Sequence, residues 1–197
     1  MLKTITDRGL GLLRRFGREE QGIMAVEFVL TLPVFLFAIF GIYTYWDGYH
    51  AMNTAQKATY TVADLVSRQK RELNDQFFQG MHNLMEYLTG DNLPVEMRIT
   101  SVTYSGVRNQ FEVEWSRSPY NEIPELTTES LQPLAQHIPM MADGDSVILV
   151  EANLQFKPAF AETPAFYMYL GEQEFKQFIV TRPRFVPHLC LQNVYCG

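Results

Sequence analysis

The sequence predicts an α+β chain: a long N-terminal helix that crosses a membrane and continues into a soluble domain with a small antiparallel sheet. Three observations predict it. Between Ile23 and Trp46 run 24 residues whose only charge is Glu27. From His50 to Leu88 apolar residues recur at spacings of mostly three and four, with no proline. After Val95 the apolar period falls to two, the mark of half-buried strands.

Residues 1–22 are polar and basic and read as a short cytoplasmic leader. The next element, residues 23–46, is a transmembrane helix by length. Twenty-four helical residues rise about 36 Å, against a hydrocarbon core of about 30 Å. A buried helix of a soluble protein is the competing reading, but six turns without a second charge argue against it. A signal peptide has a shorter apolar region and a small-residue cleavage site. Here the far end reads GIYTYWDGYH, whose Tyr43, Tyr45, Trp46 and Tyr49 suit an interfacial aromatic belt. Pro33 removes one backbone donor and loosens the helix in a way that membrane helices tolerate, and Gly41 is a second flexible point.

The whole chain carries a formal net charge of −6, divided unevenly. The segment before Ile23 has a net charge of +2 and everything after it −8. Arg14, Arg15 and Arg18 lie close to the apolar run and favour a cytoplasmic N-terminus with the C-terminal part translocated. Cys190 and Cys196 close the chain. In an oxidising compartment they form a short-loop disulfide; in a cytosolic tail they stay free thiols.

Residues 47–88 are expected to be an amphipathic helix that continues from the membrane. Its stripe is Met52, Ala55, Thr59, Val62, Val66 and Leu73, widened by Leu65 and prolonged by Phe77, Met81, Leu84 and Leu88, with a break near Gly80. TGDNLP, residues 89–94, ends it. The remaining residues, 95–197, form the β-rich domain. MRITSVTY and QFEVEW flank SGVRN as a hairpin, with Phe111, Val113 and Trp115 on one face and Glu112 and Glu114 on the other. Residues 127–138 are a short helix capped by Thr128 and limited by Pro133, burying Leu131, Leu134 and Ile138. VILVEANLQF, residues 147–156, is a strand that alternates Ala152, Leu154 and Phe156, and QFIVTRPRF, residues 177–185, is a last strand stopped at Pro183. Phe166, Tyr167 and Tyr169 fall in an irregular aromatic stretch that suits either a partner surface or core. A sheet with one apolar face needs a cover, and the long helix supplies it.

Enzyme chemistry finds little support. His50, His82, His137 and His188 lack metal spacing, and His82 with Glu86 lacks the second histidine of H-E-x-x-H. Asp143, Asp145 and Glu151 are wrongly spaced for a calcium loop and read as a turn before a strand. Arg182 and Arg184 read as a solvated edge. The acidic translocated part offers no basic stripe for nucleic acid. No cofactor or metal is expected.

Glu27 is the residue that needs a reason, because a carboxylate in an apolar helix is costly and points to a partner. Were a peptidase to cut between Gly22 and Ile23, the new α-amino group would be cationic. In an array of packed helices a neighbour's Glu27 neutralises that charge at low dielectric. This grouping resembles the type IV prepilin processing site. The stretch REEQGIMAVEFVLTLPVFLFAIFGIYTYWDGYHAMNTAQKAT more specifically resembles the TadE/TadG-like proteins of tight-adherence (Flp) pilus systems. The resemblance rests on Gly22, Ala25-Val26-Glu27-Phe28, Leu32-Pro33 and Gly41-Ile42, and covers about residues 14–65, roughly a quarter of the chain.

That resemblance implies a pilin-like fold and a minor pseudopilin-like subunit, structural rather than catalytic. It implies insertion in the bacterial inner membrane with a periplasmic C-terminal domain. The implied partners are the lipid bilayer, pilus subunits or other pseudopilins, the inner-membrane assembly platform and the prepilin peptidase. An uncleaved membrane-anchored scaffold of the assembly machine is a second reading. A membrane-tethered enzyme or binding module is a third.

Overall fold

The computed structural model describes residues 23–90, 94–158, 172–192 and 194. The chain divides into two compact units, Met1–Trp46 and Asp47–Gly197. Helix α1 is assigned to Ile23–Ser67, with residues in each unit. The leader, residues 91–93 of the 89–94 turn, and Phe166, Tyr167 and Tyr169 lie outside the described residues.

In the second unit α1 is followed by α2 (Asp75–Thr89), β1 (Val95–Ser105), β2 (Gln110–Arg117), a 3-10 turn at Pro119–Asn121, α3 (Thr128–Leu131), a 3-10 segment at Gln132–His137, β3 (Ser146–Phe156) and β4 (Gln173–Thr181). The four strands form one antiparallel sheet in the order β2-β1-β3-β4. An apolar N-terminal helix followed by an α+β domain is therefore the architecture.

The helices cover one face of the sheet. Ala55, Ala58, Val62, Ala63 and Val66 of α1 share a core with Phe78 and Met85 of α2, and with Val95, Met97, Ile99, Ile148, Val150, Ala152 and Leu154 of the strands. Fully burying each Ile, Leu or Val contributes roughly 1.5–3 kcal/mol. The expected stripe holds at Ala55, Thr59, Val62, Val66 and Leu73, all buried, and fails at its first residue, Met52, which is 48 % exposed while Ala51 is buried. Leu65 is only half-buried. Small residues on the contact line let α1 sit close to the sheet. The opposite face of the sheet carries a smaller core of Val102, Val147 and Leu149 beneath Leu126, Leu131 and Ile138.

Four other expectations are corrected. The helix does not break at Gly80, which lies inside α2 with open space around it. It breaks at 68–74, where Leu73 turns into the core and the Asn74 side chain caps α2 by accepting from the Phe77 N–H. Gly90, at φ 88°, ends α2 in a conformation that costs a Cβ-bearing residue dearly. The cap of α3 is Thr127, in a reciprocal box with Ser130, and Pro133 converts the continuation to 3-10 geometry. The last strand covers 173–181, so Phe185 lies outside it and is exposed.

The fourth correction concerns β2. The register slips between Ser101, opposite Trp115, and Val102, opposite Val113, which leaves Glu114 as an extra residue. Phe111 and Val113 therefore join the smaller core, whereas Trp115 turns to the helix-covered face. The outer edge of β2 is also closed. The Thr128 hydroxyl accepts from the Val113 N–H, and the Gln132 side chain donates to the Phe111 carbonyl, which blunts the edge against stray pairing.

Close approach of α1 to the sheet is testable. Ala55→Leu should destabilise the domain by about 1–3 kcal/mol through overpacking. Met52→Leu, on the exposed side, should stay within about 0.5 kcal/mol. Urea unfolding followed by tryptophan fluorescence measures both.

Candidate membrane anchor and processing segment

The first unit is described from Ile23, the first residue of α1. Its helical pattern persists through Pro33. Proline leaves the Val29 carbonyl without its usual amide partner. The Thr31 hydroxyl donates to the Glu27 carbonyl at 2.8 Å, one turn back, and the Thr44 hydroxyl repeats this on the Phe40 carbonyl at 2.8 Å. Such back-bonding satisfies polar side chains that lipid cannot solvate.

Many large apolar side chains of this unit stand exposed. Met24, Val26, Phe28, Val29, Leu30, Val34, Phe35, Phe37, Ile42 and Trp46 are all exposed. No part of the most apolar window is buried, and the helix is long and apolar enough to cross a membrane. Gly41 is half-buried, and an added Cβ there would meet nothing within 4 Å.

Glu27 lies in the second turn, exposed, with no ion pair on its carboxylate among the described residues. Ile23 and Glu27 are four residues apart on α1, about 6 Å along its axis. Phe28 follows at 62 % exposure. Gly22 lies outside the described residues. The structure thus places Ile23, Glu27, Phe28, Pro33 and Gly41 on one helix. Cys190 is in the second unit, half-buried, and the described residues include no free cysteine; Cys196 lies outside them.

Sequence reasoning missed a polar clasp in the second unit. The bulged Glu114 accepts from Ser101 Oγ at 2.7 Å and from Thr103 Oγ1 at 2.6 Å, and its Oε1 lies 2.8 Å from His188 Nδ1. Next to it, Trp115 Nε1 donates to the Leu189 carbonyl at 2.6 Å. These bonds hold a C-terminal strap, 182–192, against the domain. The strap also receives the Leu73 N–H on the Cys190 carbonyl and gives the Arg184 N–H to the Ser67 carbonyl, both at 2.9 Å. Arg184 pairs with Asp64 at 2.6 Å and Arg182 with Asp145 at 3.4 Å, and both arginines stay more than half exposed, on the solvated edge expected of them.

This clasp has a structural chemistry. One carboxylate takes three donors, each from another part of the fold. Asp143 accepts from the Gly106 N–H and fastens two turns together. Among the described residues no group of three or more His, Cys, Asp or Glu side chains could hold a metal ion. The only sequence signal for the clasp was a glutamate next to a tryptophan in an alternating strand, which gave no hint of a bulge. Glu114→Ala should cost about 2–3 kcal/mol by orphaning the Ser101 and Thr103 hydroxyls. It should also raise amide exchange across 184–192, read by hydrogen–deuterium exchange mass spectrometry.

Residues 22–64 match the model of the TadE-like protein family. No curated protein and no solved structure matches the chain. The match begins at Gly22 and ends at Asp64 inside α1, so it takes in the apolar helix and stops before the sheet. The part of the chain that carries Gly22, Glu27, Pro33 and Gly41 is accordingly the part that is similar to the TadE-like family.

Proposed function

We propose that this protein is a minor, pilin-like subunit in the biogenesis of a tight-adherence (Flp) pilus, structural rather than catalytic. The observation that carries the proposal is a coincidence on one helix. The TadE-like segment takes in the exposed apolar half of α1, and that half holds, among the described residues, a single unpaired carboxylate, Glu27.

The chain is a single-pass protein of the bacterial inner membrane, with the basic leader in the cytoplasm and the domain in the periplasm. A prepilin peptidase cuts after Gly22. The α-amino group of Ile23 then carries a positive charge, which a neighbouring subunit's Glu27 neutralises. Residues 28–46 exchange lipid for the helices of other pilus subunits or pseudopilins, guided by the assembly platform. That exchange swaps one apolar environment for another and costs little. In the periplasm Cys190 and Cys196 form a disulfide that closes the strap.

N-terminal sequencing of protein recovered separately from membranes and sheared filaments tests this reading. The expected mature N-terminus is Ile23, present in both fractions. A chain found only in membranes and beginning at Met1 would instead be the uncleaved scaffold. Gly22→Ala should leave the full-length form. Glu27→Gln should insert normally but lower filament yield by roughly tenfold, the effect of losing about 1.4 kcal/mol; undiminished yield would contradict the charge pairing. Thiol alkylation of denatured, unreduced protein should modify neither cysteine.

A further inference from the structure

Two neighbouring residues of the second unit hold a backbone conformation that bulky side chains avoid. Tyr120 has φ 58° and ψ 8°, and Asn121 has φ 56°. A left-handed tyrosine is unfavourable, and it persists only where its surroundings dictate it. Here they do. The Ser118 hydroxyl donates to the Met97 carbonyl at 2.9 Å and accepts from the Ile123 N–H at 3.1 Å. The Asn121 N–H closes the turn on the Ser118 carbonyl at 3.1 Å. His82, 3 % exposed, packs edge-on against the Tyr120 ring with centroids 5.0 Å apart. Its Nε2 lies 3.1 Å from the Val95 carbonyl oxygen and 3.2 Å from Glu122 Oε2. All this scaffolding leaves the tyrosine itself 59 % exposed. The fold therefore maintains strain without burying the residue that bears it.

What the strain does is build one wall of a cavity of about 350 Å³ between the start of α2 and the end of β2. Tyr120 and Asn121 face Asp75 and Gln79 of α2 there, with Arg117 and Glu125 completing the ring. Phe78 also lines it and is fixed by edge contact with Trp115 at 5.7 Å. The volume falls within the range of small-molecule sites. The groups define the ligand class. Arg117 is already neutralised by Glu125 at 2.9 Å, so no uncompensated cation awaits a phosphate or carboxylate. Planar amide, carboxylate and guanidinium groups mix donors with acceptors around one exposed aromatic ring. That set matches vicinal hydroxyls on a ring whose C–H face rests on tyrosine.

We propose that this cavity binds a neutral saccharide, with Asn121, Gln79 and Asp75 bonding its hydroxyls and Tyr120 packing on its ring. The assignment is independent of the pilus reading, because it uses only the second unit.

The test uses the full chain in lipid nanodiscs free of glycosidic detergent, titrated calorimetrically with glucose, galactose, N-acetylglucosamine and their 1,4-linked disaccharides. At least one should bind saturably at millimolar concentration or better. Asn121→Gly suits the positive φ, so its melting temperature should hold or rise while affinity falls at least tenfold. Gln79→Ala, on an exposed helix position, should lose affinity similarly with the fold kept. No saturable heat from any of these sugars would overturn the proposal, as would binding that both variants leave unchanged. Displacement of the sugar by inorganic phosphate would also overturn it, by showing an anion site.

Discussion

Apolar side chains from Met24 to Trp46 stand exposed on a regular helix, and water is not their solvent. At roughly 1.5–3 kcal/mol for each large side chain removed from water, ten such residues represent tens of kcal/mol. No refolding within the described domain offsets a cost of that size. The segment must lie in lipid or against other apolar helices, and the rest of the molecule answers to that requirement. The hydroxyls of Thr31 and Thr44 turn back onto the helix's own carbonyls. Charges are confined to the residues before Ile23 and after Trp46, with Glu27 the exception.

The same helix changes character after Asp47. Alanines replace phenylalanines on its contact line, because the partner is now a sheet and no longer lipid. Packing a backbone close to Ile99, Ile148 and Val150 leaves room for a methyl group and little more. The sheet is held in turn by devices far apart in sequence. The Glu114 bulge re-aims Trp115, whose indole N–H fastens the strap, and the strap reaches back to Leu73 and Ser67. The end of α1, the linker and the strap are thereby one hydrogen-bonded unit.

Much of this was legible in the residues. Six turns bearing one charge define the apolar helix, and MRITSVTY, QFEVEW, VILVEANLQF and QFIVTRPRF mark all four strands, the last of them four residues late. The misses share one cause: long-range contacts overruled local pattern. Gly80 looked like a breaker, but α2 passes it with space to spare. The true break at 68–74 consists of strong helix formers, and it exists because Leu73 is needed in the core. Asn74-Asp75 did carry a capping signal. The Phe111-Val113-Trp115 alternation is flawless as a string, and only the donors of Ser101, Thr103 and His188 reveal that Glu114 is the odd residue. Of the anchor, Ile23, Glu27, Pro33 and Gly41 lie on the helix where the sequence put them. The burial of His82 and the left-handed Tyr120 had no local signature at all.

The central claim is that residues 24–46 are solvated by lipid. It is tested most directly by photolabelling native membranes with a lipid-partitioning diazirine and mapping the adducts by mass spectrometry. The account predicts adducts concentrated between Met24 and Trp46, and essentially none on β1 to β4. Adducts absent from that stretch, or spread evenly over the sheet domain, would contradict it.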